Sequence, residues 1–419
     1  MQTEFTDELV RMLADFDPFS PDVVREPHAF YAALRREAPL YRLPNGAYYL
    51  ISRYRDVRDA AMNTEVFSSN LVAVLLQGME KQPELLALEG TGSVDALAIA
   101  DPPVHARQRK ISNQAFSMRR VATLEPPIRA LAESLMGAIL PQCGTQWRSV
   151  DWMSAVAVPL PMTVIAGLIG LPSEDIPQLK RWSDASVALL SGMNTPAELG
   201  EHVREVGELM AYFIRRVDEA ALAPKDDLLG DLVRACEGSE ALTRAEVVSI
   251  LLQILTAGNE STTSLIGSAL RLLLENPDLE ARIRADRALL EPFIEEALRL
   301  ESPFHGHFRL VRRDTEVAEA PLPQGSRVML LWGAANRDGD EFPNPNAIDL
   351  ARPNARAHLA FGFGIHHCIG ATLARLETRI TLETLFARTR ALRRGEGKLT
   401  HVPSMLVRCL ATLPVELAA

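Results

Sequence analysis

Phe361-Gly362-Phe363-Gly364-Ile365-His366-His367-Cys368-Ile369-Gly370 decides the reading of this chain, and a helix-compatible run, Ala371-Thr372-Leu373-Ala374-Arg375-Leu376-Glu377, follows it. Glycines at 362, 364 and 370 let the backbone turn tightly and approach a flat ligand closely. A cysteine ending such a loop, just before a helix, meets backbone N–H groups and the positive end of the helix dipole, which favour thiolate. Thiolate is the ligand that pushes electron density into haem iron and promotes O–O cleavage. The plainer alternative for a lone cysteine is a small buried apolar residue, and Cys143, Cys236 and Cys409 are read that way.

Outward from the loop, 419 residues would by length suggest two or three domains. A 47% hydrophobic and 23% charged composition excludes disorder and suffices for a large core. A net charge of −10 without any long Lys/Arg block speaks against nucleic acid. Four cysteines without a CxxC pair indicate neither a zinc site nor a disulfide framework, so a reduced, cytoplasmic setting is expected. The first residues lack a basic and apolar leader. Val156 to Pro172 is the most membrane-like stretch, but Pro159, Pro161 and Thr163 interrupt it. It reads as a buried helix with a proline-marked start, and a soluble monomer without membrane contact is expected.

Helical patterns dominate, with β-like runs at Tyr48–Ile51 and Arg327–Leu331. Asp101-Pro102 and Asn276-Pro277-Asp278 resemble N-caps with proline in the first turn. Thr243-Arg244-Ala245-Glu246 is a capping box opening a helical segment that reaches about Leu274. Near its middle, Ala257-Gly258-Asn259-Glu260-Ser261-Thr262-Thr263 invites a local distortion. The expectation is one domain over residues 1–419, mainly α with small β regions, and a long central helix.

Phe361, Gly364, Cys368 and Gly370 match the cysteine-loop pattern of the cytochrome P-450 family, which the chain closely resembles. Glu296-Ala297-Leu298-Arg299 matches that family's Glu-x-x-Arg signature, an i, i+3 pair on one helix face. Ala334 to Asp338, Phe342 to Pro345, Asp349 and Arg352 continue the likeness, which runs from about Asp17 to Val415. The resemblance implies a soluble bacterial haem-thiolate monooxygenase holding heme b (iron protoporphyrin IX) beneath the central helix. It implies Cys368 as metal ligand, Phe361, Gly362 and Gly370 as haem-contacting loop residues, and Glu296–Arg299 as a buried supporting ion pair. His105, Arg109, Arg309 and His366 take the positions of its propionate partners, a role in which arginine's planar fork suits carboxylate. His307 and His367 are read as ordinary polar residues.

Oxygen activation needs protons delivered into an otherwise dry pocket, which an acid beside an alcohol can relay. Glu260-Ser261 stands where the family has its acid–alcohol pair, with serine in place of the usual threonine and Thr262 next to it. The alternative is a hydroxyl bonded back to the i−4 carbonyl. The chain shows no glycine-rich dinucleotide or flavin segment, so electrons from NAD(P)H are expected through a ferredoxin or flavodoxin with its reductase. Arg107, Lys110 and Arg375 are candidates for the docking patch, a solvated helix face being the alternative. The resemblance places substrate contacts in Leu71 to Ala100, here with Val72 and Leu75, and further at Leu255, Ala257, Phe304, Phe308, Met405 and Leu406. These are apolar, so a lipophilic small molecule receiving one oxygen atom from O2 is expected. Alternatives are a peroxide-driven haem-thiolate oxygenase and a non-enzymatic haem sensor or carrier.

Overall fold

Thr243 opens the longest element: its hydroxyl accepts from Glu246 N–H at 3.1 Å, and the Glu246 carboxylate accepts from Thr243 N–H at 2.7 Å. The computed structural model describes residues 20–44, 46, 48–70, 95–140, 147–191, 194–238 and 241–419. Asp17, Val72, Leu75 and Cys143 lie outside the described residues. The helices that position the site are α1 (Val104–Ser112), α2 (Glu125–Ile139), α3 (Pro159–Ile169), α4 (Ile176–Leu189), α5 (Arg244–Glu275), α6 (Leu290–Glu301) and α7 (Ala371–Arg388). The capped helix α5 has 32 residues, so it spans about 48 Å at the α-helical rise. It packs on α3, α4, α6 and α7 and buries Ile250, Leu251, Leu265, Ile266 and Leu270 in the main core.

The expected interruption of α5 is not there: its helical assignment runs unbroken from Arg244 to Glu275. Gly258 has another reason to be glycine. A Cβ at Gly258 would lie 2.9 Å from the Ile165 side chain of α3, so the missing side chain lets two helices approach. The proline-marked stretch does form the buried helix α3, with Pro159 in its first turn and Gly170 closing it at φ +96°. Of the two N-cap readings, Asn276 holds its position with Pro277 in the first turn, and Asp101 needs correcting. Asp101 turns instead to Ser69 N–H (2.9 Å) and to Ser68 and Arg312, and Pro103 holds the cap position of α1. Asn276 sits at its cap position, but its amide donates to Leu272 O at 2.8 Å rather than capping forward.

The strands are β1 (Leu40–Arg42), β2 (Tyr49–Ile51), β3 (Phe67–Ser68), β4 (Trp147–Asp151), β5 (His307–Val311), β6 (Arg327–Leu330), β7 (Ala391–Arg394) and β8 (Pro414–Ala418), with two short hairpins besides. One sheet has the order β1-β2-β6-β5-β3 and another β4-β8-β7. The two β-like runs of the sequence meet as neighbours, β2 pairing β6 in parallel with Tyr49 opposite Val328. Antiparallel β5 pairs β6 with Arg309 opposite Val328, and His307 and Arg309 of β5 line one cavity with residues of α5 and of the cysteine loop. The fold is mainly helical with small sheets. Among the described residues no helix is long and apolar enough to cross a membrane.

Candidate functional site

The cysteine loop is held by its own backbone. Cys368 N–H donates to Phe361 O at 2.8 Å, Gly362 N–H to Leu359 O at 2.9 Å and His367 N–H to Gly364 O at 3.1 Å. Gly362 and Gly364 have φ of +69° and +73°, a region that side chains resist. The Cys368 sulfur lies in a large cavity. Burial pushes its thiol pKa up, against the lowering effect of Gly370 N–H, Arg109 and Arg375. Burial thus opposes the thiolate that the loop N–H and the arginines favour, and a cationic partner at the sulfur would favour it further.

That cavity encloses ≈ 1390 Å³ of space including its open mouth. His105, Arg109, Arg309 and His366 all line it with Cys368. Arg309 is buried, its guanidinium donates to Phe308 O at 2.7 Å, and among the described residues it has no ion-pair partner. Burial brings its pKa down to about 10, Asp101 opposing. The His366 ring stands 4.3 Å from that of His105, centroid to centroid. Both His366 nitrogens are buried without a partner among the described residues, and burial with the nearby arginines lowers its pKa to about 3. Arg109 donates to His367 O (2.7 Å) and Asn113 Oδ1 (2.9 Å). A buried unpaired cation and an unsatisfied imidazole are costly to a fold unless an anionic acceptor meets them. Together with the sulfur and the glycine-lined wall, they fit a flat metal-bearing ligand with carboxylates at one edge.

His307 also lines the cavity, and reading it as an ordinary polar residue needs correcting. It is half-buried, with Trp332 Nε1–H donating to its Nδ1 at 2.6 Å and its pKa lowered to about 3 by desolvation and Arg309. Strand alternation explains the pair: His307 and Arg309 share one face of β5, and Phe308 takes the other. Phe308 stacks on Tyr48 at 5.1 Å and, with Met405, lines a separate apolar pocket. Leu255 and Leu406 are buried in the core. Of the substrate candidates, Ala257 and Phe304 line the large cavity; Leu255, Phe308, Met405 and Leu406 do not. The helix period was the signal missed, for Ile254, Gly258 and Leu265 form one stripe with Ala257 and Ser261.

Glu296 and Arg299 on α6 are fully buried and bidentate, at 2.7 and 2.9 Å. Arg352 joins Glu296 at 3.0 Å, and Asp349 N–H donates to it at 2.9 Å. Arg299 further donates to the carbonyls of Asn336, Pro345 and Ala347, at 3.0, 2.6 and 3.0 Å. The pair thus staples the long segment ahead of the cysteine loop.

The acid and the alcohol of α5 diverge. Ser261 and Thr262 line the cavity, whereas Glu260 does not. Ser261 Oγ–H donates to Ala257 O at 2.7 Å, the i−4 bond weighed as the alternative. The Glu260 carboxylate faces Lys180 of α4 at 3.4 Å; burial raises its pKa and Lys180 opposes. The acid that does line the cavity is Glu377 of α7, fully enclosed, its Oε2 unpartnered among the described residues and its pKa pushed well up by burial. Two docking candidates also change character. Arg375 is bidentate to Glu295 at 2.7 and 2.9 Å and stacks on Phe361 at 4.5 Å. Arg107 pairs with Glu246 and donates to Ala241 O at 2.8 Å.

Comparison with known proteins agrees with this geometry. The cytochrome P450 family model matches residues 61–399. Cytochrome P450 144 of Mycobacterium tuberculosis is 38% identical over 97% of this chain and 92% of its own length. The vitamin D(3) 25-hydroxylase of Pseudonocardia autotrophica is 34% identical over 95% and 96%. The solved cytochrome P450 CYP109Q5 from Chondromyces apiculatus superposes with a TM-score of 0.85 at 37% identity, covering 97% of this chain and 99% of its own. A cysteine loop, a buried Glu–Arg staple and a long helix over one cavity therefore have a family: the chain is a cytochrome P450, an oxidoreductase of the haem-dependent monooxygenase kind.

Proposed function

We propose that the large cavity would hold heme b with Cys368 supplying the sulfur ligand to its iron, and that the chain inserts one atom of O2 into a lipophilic small molecule. The observation that carries this reading is the one cavity that Cys368 shares with Arg309, buried and without an ion-pair partner among the described residues, and with His366, whose two ring nitrogens are buried without a partner among them. When bound, the haem supplies the oxygen chemistry, and its thiolate ligand favours O–O cleavage. Arg309, Arg109, His105 and His366 would hold its propionates, the arginines by charge-assisted hydrogen bonds. Neutral His366 keeps one N–H to donate, consistent with its lowered pKa. Ser261 gives its proton to Ala257 O and keeps its lone pairs as acceptors. It can therefore hold a proton-donating water in place, while Glu260, tied to Lys180, serves from behind the helix. Leu97, Ile165, Ile254 and Phe304 supply an apolar wall for substrate. One relative is by name a hydroxylase of vitamin D(3), which supports a neutral lipophilic substrate here.

The test is spectroscopic. The reduced carbon-monoxide complex should show the red-shifted Soret band of thiolate ligation, and Cys368→Ser should lose that band and monooxygenation together. Retention of the band in the variant would refute Cys368 as ligand. Electrons are proposed to come from NAD(P)H through a ferredoxin or flavodoxin with its reductase, in line with bacterial P450s generally. Turnover with purified chain and NAD(P)H alone should then be negligible. A peroxide-driven reading is favoured by one observation, the separation of Glu260 from the cavity. Product formation faster with hydrogen peroxide than with a ferredoxin system would decide for it.

A further inference from the structure

Leu97 is a leucine at φ +40°, in the left-handed region that a branched side chain resists. It sits in the short turn Leu97–Ile99, and Leu97 and Ala98 both form cavity wall. Such a backbone persists only where its surroundings over-determine it. Here two glutamine amides do so. Gln253, on the cavity stripe of α5, accepts from Ala98 N–H at 3.1 Å and donates to Ala96 O at 2.8 Å. Gln108 of α1, fully buried, accepts from Leu97 N–H at 2.9 Å and donates to Asp95 O at 3.3 Å and to Glu246 at 2.8 Å. Gln253 thus grips the turn on both sides of Leu97 from the long helix, while Gln108 ties it to the helix that carries His105 and Arg109.

We infer that Gln253 is a specificity-positioning residue: its amide, bridging Ala96 and Ala98, sets the cavity wall that a substrate larger than the haem's immediate ligand must pass or pack against. The inference rests on the large cavity being the haem and substrate site. Its chemistry is independent of the oxidation step, since both of its hydrogen bonds go to backbone of the wall. A leucine at 253 has the volume of glutamine but neither bond, so the wall loses its preorganised position and a long ligand must order it on binding. Glutamate retains an acceptor for Ala98 N–H and loses the donor to Ala96 O.

Haem-loaded protein is titrated with imidazole and with 1-dodecylimidazole, each read by the Soret shift. In Gln253→Leu, imidazole should bind within about twofold of the parent and 1-dodecylimidazole at least about fivefold more weakly, the scale of a lost hydrogen bond or two. Gln253→Glu should fall between, and carries the test alone if the leucine variant does not fold. Hydrogen exchange in the peptide containing Leu97 and Ala98, measurable without haem, should quicken in the same order. An unchanged ratio between the two probes, or equal weakening of both, overturns the inference. If imidazole shifts no Soret band in the parent, the haem reading has failed instead, and the exchange measurement alone decides whether Gln253 holds the turn.

Discussion

The cavity has two walls of different kinds. On the cysteine side, the backbone does the positioning: Cys368 N–H on Phe361 O, and glycines at φ values that other residues avoid. On the α5 side, the backbone is an unbroken helix, and what each side chain does depends on which partner lies opposite. Glu260 meets Lys180, Gly258 meets Ile165, Ser261 bonds the Ala257 carbonyl one turn back, and Gln253 holds a turn far away in sequence. Loop function is thus specified locally, by residues that alone permit the conformation. Helix function is specified by contacts that no neighbouring residue announces.

If that contrast holds, the largest single effect outside Cys368 itself should come from the staple behind the cysteine side. Glu296→Ala strands two buried guanidiniums, Arg299 and Arg352, without their carboxylate. Removing one partner of a buried pair typically costs about 3–5 kcal/mol, a large share of a domain's net stability. Little haem-loaded protein should be recovered, judged by the Soret-to-protein absorbance ratio. Normal loading and an unchanged melting temperature would show that the staple is not needed.

Substitutions on the α5 side should act more gently, and should separate Ser261 from Glu260. Ser261→Ala removes an acceptor from the cavity, so product formed per NAD(P)H oxidised should drop about tenfold, below the general acid maximum because Thr262 stands beside it. Glu260→Gln should slow the reaction while leaving product per NAD(P)H within about twofold if, as proposed, the carboxylate tied to Lys180 feeds protons from outside the cavity and positions nothing within it. Equal loss of coupling in both variants would mean that acid and alcohol work as one unit after all.

The same contrast explains what could be read from sequence. The family, the mainly helical fold, the long capped helix and the loop around Cys368 were legible because capping boxes, prolines and glycines act within a few residues. Strand parity outward from Arg309 puts His307 on the cavity face and Phe308 on the opposite one, a period of two that the sequence carries. Leu255 is the helical counterpart, off the stripe of Ile254, Ala257, Gly258 and Ser261 that lines the cavity. Arg375, Arg107 and Glu260 could not be placed by any local rule. Their partners Glu295, Glu246 and Lys180 lie 80, 139 and 80 residues away, and only tertiary packing brings them together. Asp101 shows the converse, a local cap signal overridden by Ser69 and Arg312.

Glu377 offers the subtlest test, because it lies on the cysteine-side helix yet behaves as a tertiary accident would. Its carboxyl is enclosed, one oxygen lacks a partner among the described residues, and burial raises its pKa well above 4.5. A group with a raised folded-state pKa holds its proton more tightly folded than unfolded. Above the unfolded value the unfolded chain has released that proton, so stability falls as pH rises from about 4.5 toward the folded pKa. Glutamine cannot lose a proton. Glu377→Gln should therefore be nearly neutral at about pH 5 and increasingly stabilising toward about pH 8, because the carboxyl's retention of a proton on folding no longer costs stability as pH rises. Melting curves of the two proteins across that range read the difference directly. A gain that is constant with pH would mean the carboxyl does not change its ionisation on folding, and a loss at high pH would mean that a cation meets it in the cavity.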